Sequence, residues 1–473
     1  MGVVTAVAAV TGLWVAVVLT LTDEVRSIVV PLILFTDVTA LGFLFVPALL
    51  VMERVERADA AMRLTPLRTS ERLGVRVGMA TALSLAAAVA VTTAAGVSHI
   101  AVRLLGVTTT SVLFGLIAYA LLGTSSTLTT FLTRTPLVAA PLIAPALVSY
   151  IGLSDTPLLQ VSPLTSALGM MAGSMSWIGL ALQVACIVGV AAVAASISQR
   201  PTLDRSAALA PRAVRRAVLR HPGRYRVAAA IRSFARTDRR ALAGDALLIL
   251  LGLSVPLVAL VARVVGTAGV GWVRGRYGMD LAPHLPLIWA LLLVVHTPIS
   301  FGALTGLLLL EDRDEHLLPV IAATRASVLT LLCYRLGVTA AATAIALAIS
   351  LPLAGVVHPA GATGFLGVVV AAAAFSAVPA LLMAAVASNR VQGVAVMKVI
   401  GLPLYLPLAS WFMTGSARWI FAPLPSAWTA WALWASTPAA AVATAFGAVA
   451  LTVAVGIPLG RRFLARAGRT ATG

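Results

Sequence analysis

The chain has 473 residues, of which 60% are hydrophobic and only 11% are charged, and its mean hydropathy is +1.01. A water-soluble protein needs a charged surface, so this composition excludes a soluble enzyme and predicts an all-α polytopic membrane protein. The formal net charge of +18 suggests a nucleic-acid partner. However, most of the basic residues lie between apolar segments on one side of the predicted membrane, as the positive-inside rule requires, so we expect no nucleic-acid binding.

The apolar segments give the predicted topology. A membrane-spanning helix needs about 20 apolar residues, and about twelve segments approach that length. The basic residues place both termini in the cytoplasm, and a composition rich in arginine and alanine is typical of a GC-rich bacterial genome. We therefore expect a multi-pass protein of the bacterial cytoplasmic membrane. Its predicted spans are 3–22, 28–51, 77–97, 106–124, 136–152, 176–197, 244–265, 286–310, 327–353, 363–387, 399–414 and 430–460.

A charged segment, residues 52–76, follows the second predicted span, and a weaker copy, residues 311–335, follows the eighth. When the sequence is aligned with itself at one constant offset, Arg54 aligns with Arg313, and further pairs of like residues align as well. At almost the same offset "SPLTSALGMM" (162–171) meets "APLPSAWTAW" (422–431). The chain is therefore predicted to contain two parallel six-helix repeats. The further pairs at the first offset are Glu56 with Glu315, Thr65 with Thr324, and Arg76 with Arg335.

The repeats define three predicted regions. Residues 1–197 form the first transmembrane half and residues 244–473 form the second. Between them, residues 198–243 form a basic cytoplasmic linker. Apolar residues recur at helical spacing among the arginines near its end, which predicts an amphipathic helix on anionic membrane lipids.

The repeated charged segment admits two interpretations. A short amphipathic helix that is rigidly joined to two spans transmits the push of a cytoplasmic partner into the membrane. Alternatively, a charged loop only sets the topology. Because the segment occurs twice in corresponding places, we favour the first interpretation.

The segment "LLVMERVERADAAMRLTPLRTSERLGVRVG", together with "SPLTSAL" and "APLPSAW", resembles the membrane subunits of type 2 ABC exporters. The similarity is to bacterial drug and antibiotic export permeases, including the fluoroquinolone-export type. It implies six-span halves, re-entrant helices near 153–172 and 415–428, and a coupling helix after each second span. Each coupling helix would dock on one of two copies of a separate ABC ATPase, which would bind ATP and magnesium. The implied coupling residues are Glu53, Arg54, Glu56, Arg57, Thr65, Pro66, Asp312, Arg313, Glu315, Thr324 and Arg325.

Two features depart from that pattern. The first half lacks the usual amphipathic helix before its first span. The second charged segment has Arg325 where the first has Pro66, so the helix-ending proline is missing.

The ATPase itself is not expected in this chain. A phosphate-binding loop needs a lysine followed by serine or threonine, whereas the only lysine, Lys398, precedes Val399. We therefore expect a transport subunit without a catalytic site, a metal site or a cofactor of its own. Glu311, Asp312 and Asp314 are interspersed with basic residues, which predicts a solvated, self-paired segment rather than a metal cluster.

Two ionisable residues lie within predicted spans. Asp37 and His296 meet at the repeat offset, and charges at such depth usually face a protein interior or a cavity. They are candidates for the translocation path. The alternatives are an ion pair that joins the halves, or a position near the outer headgroups.

The sequence thus predicts the permease of an ATP-driven exporter for a small hydrophobic or amphipathic drug, antibiotic or lipid. Two other functions remain open. An ion-coupled secondary transporter would need buried groups that titrate, and Asp37 is almost the only deep carboxylate. A membrane enzyme acting on lipid-linked substrates would usually show clustered acids or histidines on a loop.

Overall fold

The chain folds into two compact units, Met1–Arg212 (unit 1) and Ala213–Gly473 (unit 2), which divide within the predicted linker. Every regular element in the described residues is helical, as the apolar composition predicts. Each unit is described below by itself. The computed structural model describes residues 2–55, 69–124, 128–150, 152, 156, 159, 162–198, 231–232, 234–236, 246–278, 280–314, 317–322, 327–413 and 415–472.

Unit 1 contains seven described helices, and its core forms around α4, where Leu113 and Phe114 are fully buried. The short helix α6 packs against α4 at Gly106, where a β-carbon would lie 2.9 Å from the carbonyl oxygen of Ala167. Such close backbone approach is typical of small residues between membrane helices. The helices are α1 (Gly2–Thr20), α2 (Asp23–Val55), α3 (Thr69–Ala95), α4 (Ile100–Gly123), α5 (Leu128–Tyr150), α6 (Pro163–Met171) and α7 (Trp177–Ser198).

Unit 2 repeats this order with additional short elements. A continuous helical run, Ala282–Asp314, includes a π-helical segment, Ala290–Val295, directly before α9. Two 3-10 helices, Leu406–Phe412 and Gly415–Phe421, follow α14. The helices are α8 (Ala246–Tyr277), α9 (His296–Asp314), α10 (Leu317–Ala322), α11 (Val328–Leu353), α12 (Gly361–Phe375), α13 (Ala377–Val386), α14 (Arg390–Tyr405), α15 (Pro425–Trp434) and α16 (Pro438–Thr472).

Seven helices in the described ranges are long and apolar enough to cross a membrane. The most buried are Ile100–Gly123 in unit 1 and Gly361–Val386 in unit 2, so the fourth predicted span of each repeat is the central helix of its unit. Shorter apolar helices, Val7–Leu19, Arg26–Thr36, Val138–Tyr150 and Leu253–Arg263, lie at four further predicted spans. The seven are Ser70–Ala95, Ile100–Gly123, Trp177–Ile197, Ala282–Asp314, Val328–Leu353, Gly361–Val386 and Pro438–Ala467.

The boundaries of the last two predicted spans need correction. Residues 399–414 do not form one helix, because α14 begins at Arg390 and ends at Tyr405, where a 3-10 helix follows. The side chain of Asn389 accepts a hydrogen bond from Gln392 N–H and caps the start of α14. Residues 430–460 are divided between α15 and α16. The backbone is extended at Ala435, and Pro438, which has no N–H to donate, begins the new helix.

Much of the predicted linker helix lies outside the described residues. Within 198–243, the described residues after Ser198 are helical at 231–232 and 234–236. Phe234 packs against the ring of Tyr334 in α11, with the ring centroids 5.8 Å apart.

Candidate functional site

One end of unit 2, here called the basic end, is formed by the last turns of α9, α13 and α16 and by α10. Two arginines from different helices converge there on the C-terminus of α13. Arg313 donates a hydrogen bond to the carbonyl oxygen of Ala387 at 2.6 Å, and Arg466 donates one to that of Ala385 at 2.6 Å. These carbonyls have no partner within the helix, and the negative end of the helix dipole favours positive charge. The ends of α9, α13 and α16 are thereby fastened together.

An ion pair ties the two helices that flank α10. Asp312, near the end of α9, lies 3.4 Å from Arg335 in α11, and both side chains are largely buried. In the sequence repeat these residues align with Glu53 and Arg76 of unit 1, and Arg76 is also buried. In unit 2 a buried contact therefore holds the start of the charged segment, at Asp312, close to its end, at Arg335.

The helix α10 lies between these tethered ends. Leu318 is fully buried and packs in one cluster with Phe463 and Ala467 of α16. Val320, on the same short helix, leaves 44% of its surface exposed. A displacement of α10 would therefore act on α16 and, through the same apolar cluster, on Leu309 of α9 and on Leu331 and Leu332 of α11.

The predicted coupling residues divide into described and undescribed ones. Asp312 and Arg313 make contacts inside unit 2, as given above. The other members of the predicted set lie outside the described residues or have undescribed side chains, so their assignment stays a prediction. Glu53 and Arg54 lie in α2 without a described side chain, and Glu56, Arg57, Thr65, Pro66, Glu315, Thr324 and Arg325 lie outside the described residues.

His296 forms a polar cluster near the middle of the 33-residue run Ala282–Asp314. Its Nδ1 lies 2.6 Å from the hydroxyl of Tyr405, and its Nε2 lies 3.1 Å from the hydroxyl of Ser300. The histidine and tyrosine rings are stacked, with an interplanar angle of 26°. The neutral imidazole, with one donor and one acceptor nitrogen, satisfies both contacts.

The cluster leaves a polar side chain exposed near the middle of the helical run. His296 remains exposed at the surface of unit 2, while Thr297, next to it, is buried. Polar groups at such depth usually face protein or a cavity rather than lipid. The π-helical segment that ends at Val295 is a further feature that is frequent at functional sites. Asp37 belongs to unit 1 and its side chain lies outside the description, so its pairing with His296 stays a prediction.

The opposite end of unit 2, here called the tryptophan end, contains the 3-10 helices 406–412 and 415–421 and the helix α15. Its indole N–H groups donate to acceptors in neighbouring elements. Trp431 donates to the hydroxyl of Ser410 at 2.9 Å, and Trp434 donates to the carbonyl of Pro286 at 3.2 Å. The predicted re-entrant helices near 153–172 and 415–428 overlap in sequence with α6 and with this region, and their re-entrant position in a membrane stays a prediction.

The two units hold equivalent short helices with different basic residues, which the sequence reasoning missed. In unit 1 Arg103 donates to the carbonyls of Met171 and Ala172, at the C-terminus of α6. In unit 2 His358 accepts a hydrogen bond from Ala360 N–H at Nδ1, so its Nε2 carries the proton and donates to the carbonyl of Ala432. Ala172 and Ala432 directly follow the two matched stretches of the repeat. Arg103 and His358 both lie just before the fourth predicted span of their repeat, and that shared position was the available signal.

Comparisons with known proteins match the two halves separately. Residues 2–201 match a family described as the fluoroquinolones export permease protein family, and residues 238–459 match one described as fluoroquinolones export permease protein Rv2686c-like. Both matches lie within the predicted transmembrane halves, apart from a few linker residues. No solved structure matches the chain.

Curated relatives carry the same description. Fluoroquinolones export permease protein Rv2686c of Mycobacterium tuberculosis (strain H37Rv) is 28% identical over 217 residues, which are 44% of this chain and 83% of the relative. Fluoroquinolones export permease protein Rv2687c of the same strain is 28% identical over 211 residues, or 42% of this chain and 88% of the relative. Each half is thus similar to a fluoroquinolone export permease family, which supports a drug-export permease of the ABC type and is consistent with two permease halves in one polypeptide.

Proposed function

We propose that this chain is the permease subunit, with both transmembrane halves, of an ATP-driven exporter that moves a small amphipathic molecule out of the cytoplasm or the inner leaflet. The observation that carries the proposal is the match of both halves to export permease families. Because the relatives are named for fluoroquinolone export, a planar aromatic drug or antibiotic is the first substrate class to test; a lipid is the second.

The energy would come from a separate ATPase, two copies of which bind ATP and magnesium. The basic end of unit 2 would face the cytoplasm, with both chain termini, in accordance with the positive-inside rule. There α10 packs in one apolar cluster with α9, α11 and α16, so a partner that displaces it would move three helices together. Residues 52–76 would serve unit 1 in the same way.

The translocation path would include the His296 cluster. Both imidazole nitrogens are bonded to hydroxyls, and in either tautomer one of these hydroxyls keeps a hydrogen to donate while the other keeps lone pairs that accept. That combination suits an amphipathic substrate, which needs polar contacts in the membrane without a fixed charge. Asp37 would contribute from unit 1.

The docking proposal is tested by placing a charge on the exposed face of α10. The tagged chain is purified gently from its own membranes, and co-purifying ABC ATPase is quantified by mass spectrometry. Val320→Asp should remove the ATPase and abolish drug transport in membrane vesicles. Val357→Asp is the matched control, because Val357 is 89% exposed and lies between α11 and α12, away from α10. Equal ATPase recovery with both variants, or ATPase-free transport driven by an ion gradient, would overturn the proposal.

A further inference from the structure

Arg418 occupies an aromatic corner at the tryptophan end of unit 2. It belongs to the 3-10 helix Gly415–Phe421, and its guanidinium carbon lies 5.5 Å from the ring centre of Trp419 and 5.9 Å from that of Trp431. The two indole rings are 5.3 Å apart and inclined by 74°. The guanidinium is thus held by cation–π contacts on two sides.

The two rings that contact Arg418, those of Trp419 and Trp431, are held in place by neighbouring residues. Trp431 is buried, and its N–H is committed to the hydroxyl of Ser410. Trp428 packs edge-on against both of the other indoles, and its N–H donates to the carbonyl of Ala422 at 2.8 Å. These contacts fix the rings, so they also fix the position of the charge.

The guanidinium of Arg418 contacts aromatic rings with its faces and not with its N–H edge. Across the described residues, no acceptor is hydrogen-bonded or ion-paired to this guanidinium, which contacts the faces of two indole rings. A guanidinium has five N–H donors in its plane, which match the two oxygens of a phosphate or carboxylate. Stacking on aromatic rings leaves that edge available to an oxyanion.

The surroundings of Arg418 are apolar and open. Phe412 is 69% exposed and Ile420 is 74% exposed, and Trp419 beside them is 49% exposed. A free inorganic anion would make no use of such a surface. A molecule that combines an oxyanion with hydrocarbon chains would contact both the charge and the apolar side chains, and indoles are enriched where a membrane meets water.

We propose that Arg418, supported by Trp419 and Trp431, binds the phosphate group of an anionic phospholipid. Its acyl chains would lie against Phe412 and Ile420. The site includes none of the residues proposed for the transport path. Because the basic end would face the cytoplasm, the site would lie at the outer leaflet, and only that placement rests on the proposed function. It would hold the two 3-10 helices at the membrane surface.

The test is native mass spectrometry of the full chain, titrated with phosphatidylglycerol or with zwitterionic phosphatidylcholine. The native chain should retain one phosphatidylglycerol that Arg418→Ala binds about tenfold more weakly, as expected for the loss of a charge-assisted pair. Arg418→Lys keeps the charge but loses the fork, so its affinity should be intermediate. Arg274→Ala is the control, since Arg274 is an exposed arginine that the predicted topology places on the same side of the membrane.

Three results would overturn the inference. Equal losses in Arg418→Ala and Arg274→Ala would show a general effect of charge. Equal retention of both lipids would show that the tryptophans act only as an interfacial belt. Competition by inorganic phosphate at the same concentration as the lipid would show a site for soluble oxyanions. If Arg418→Ala fails to fold, Arg418→Lys alone decides. Export and ATPase binding are measured separately, so their failure leaves this test intact.

Discussion

Polar side chains in apolar helices need partners, and His296 obtains them from Tyr405 and Ser300. Replacing Tyr405 by Phe removes one partner and preserves the ring that stacks on the imidazole. If the cluster contacts substrate, Tyr405→Phe and His296→Ala should each reduce vesicle transport about tenfold, the size expected for one lost hydrogen bond in a transport step. Protein yield and ATPase co-purification should be unchanged.

Tyr150→Phe is the matched control for that substitution, because it also removes one tyrosine hydroxyl, which donates to the carbonyl of Ile28 at 3.1 Å. It should transport normally. Normal transport by Tyr405→Phe, His296→Ala and Asp37→Asn together would exclude a path through these residues and leave the cluster a structural role.

Two ion pairs in this chain differ in burial and should therefore differ in their effect on stability. Asp312→Asn removes the charge opposite Arg335 in a largely buried pair, which should lower the free energy of unfolding by about 2 kcal/mol. Asp23→Asn breaks the pair with Arg26, but Asp23 is 95% exposed, so its effect should stay below about 0.5 kcal/mol. Thermal unfolding in detergent compares the two variants. Equal shifts in melting temperature would show that the buried pair does not hold the charged segment in place.

At the level of helices, α9 and α13 approach each other through two glycines. A β-carbon at Gly302 would overlap the carbonyl oxygen of Ser376 and the ring of Pro379, and one at Gly306 would lie 2.9 Å from the β-carbon of Met383. Because backbone cannot yield as a flexible side chain does, Gly302→Ala should cost about 1–3 kcal/mol of stability. Gly337→Ala, in α11, meets no atom within 4 Å and should be neutral or slightly stabilising. A melting temperature that falls equally in both variants would contradict this packing.

The helices themselves were largely predictable, because hydropathy over about 20 residues depends on composition alone. The repeated segment was predictable for a similar reason, since its charges stand out between apolar runs. Helix ends were harder: the start of α14 depends on one cap at Asn389, and the gap before α16 depends on Pro438. Such signals are only one residue long, so a hydropathy window cannot detect them.

The contacts of the candidate sites could be predicted only in part. His296 was identified from its depth in an apolar run, whereas Tyr405 lies more than 100 positions away and has no counterpart in the first repeat to indicate it. Arg103, Arg313 and Arg466 all donate to backbone carbonyls. Because every residue has a backbone carbonyl, the sequence does not indicate which carbonyl accepts the hydrogen bond.

At the scale of the whole molecule, two units that each contain a match to a permease family are joined through the predicted basic linker. If the linker only keeps the units on one polypeptide, it contributes local concentration and no essential contact. Residues 1–212 and 213–473, expressed together as separate chains, should then co-purify and restore drug transport in vesicles, whereas either fragment alone should transport nothing. Expression of both fragments at equal levels, checked with different tags, is the control. Co-purification without transport would show instead that the continuous linker takes part in the transport cycle, and its basic residues would become the next positions to change.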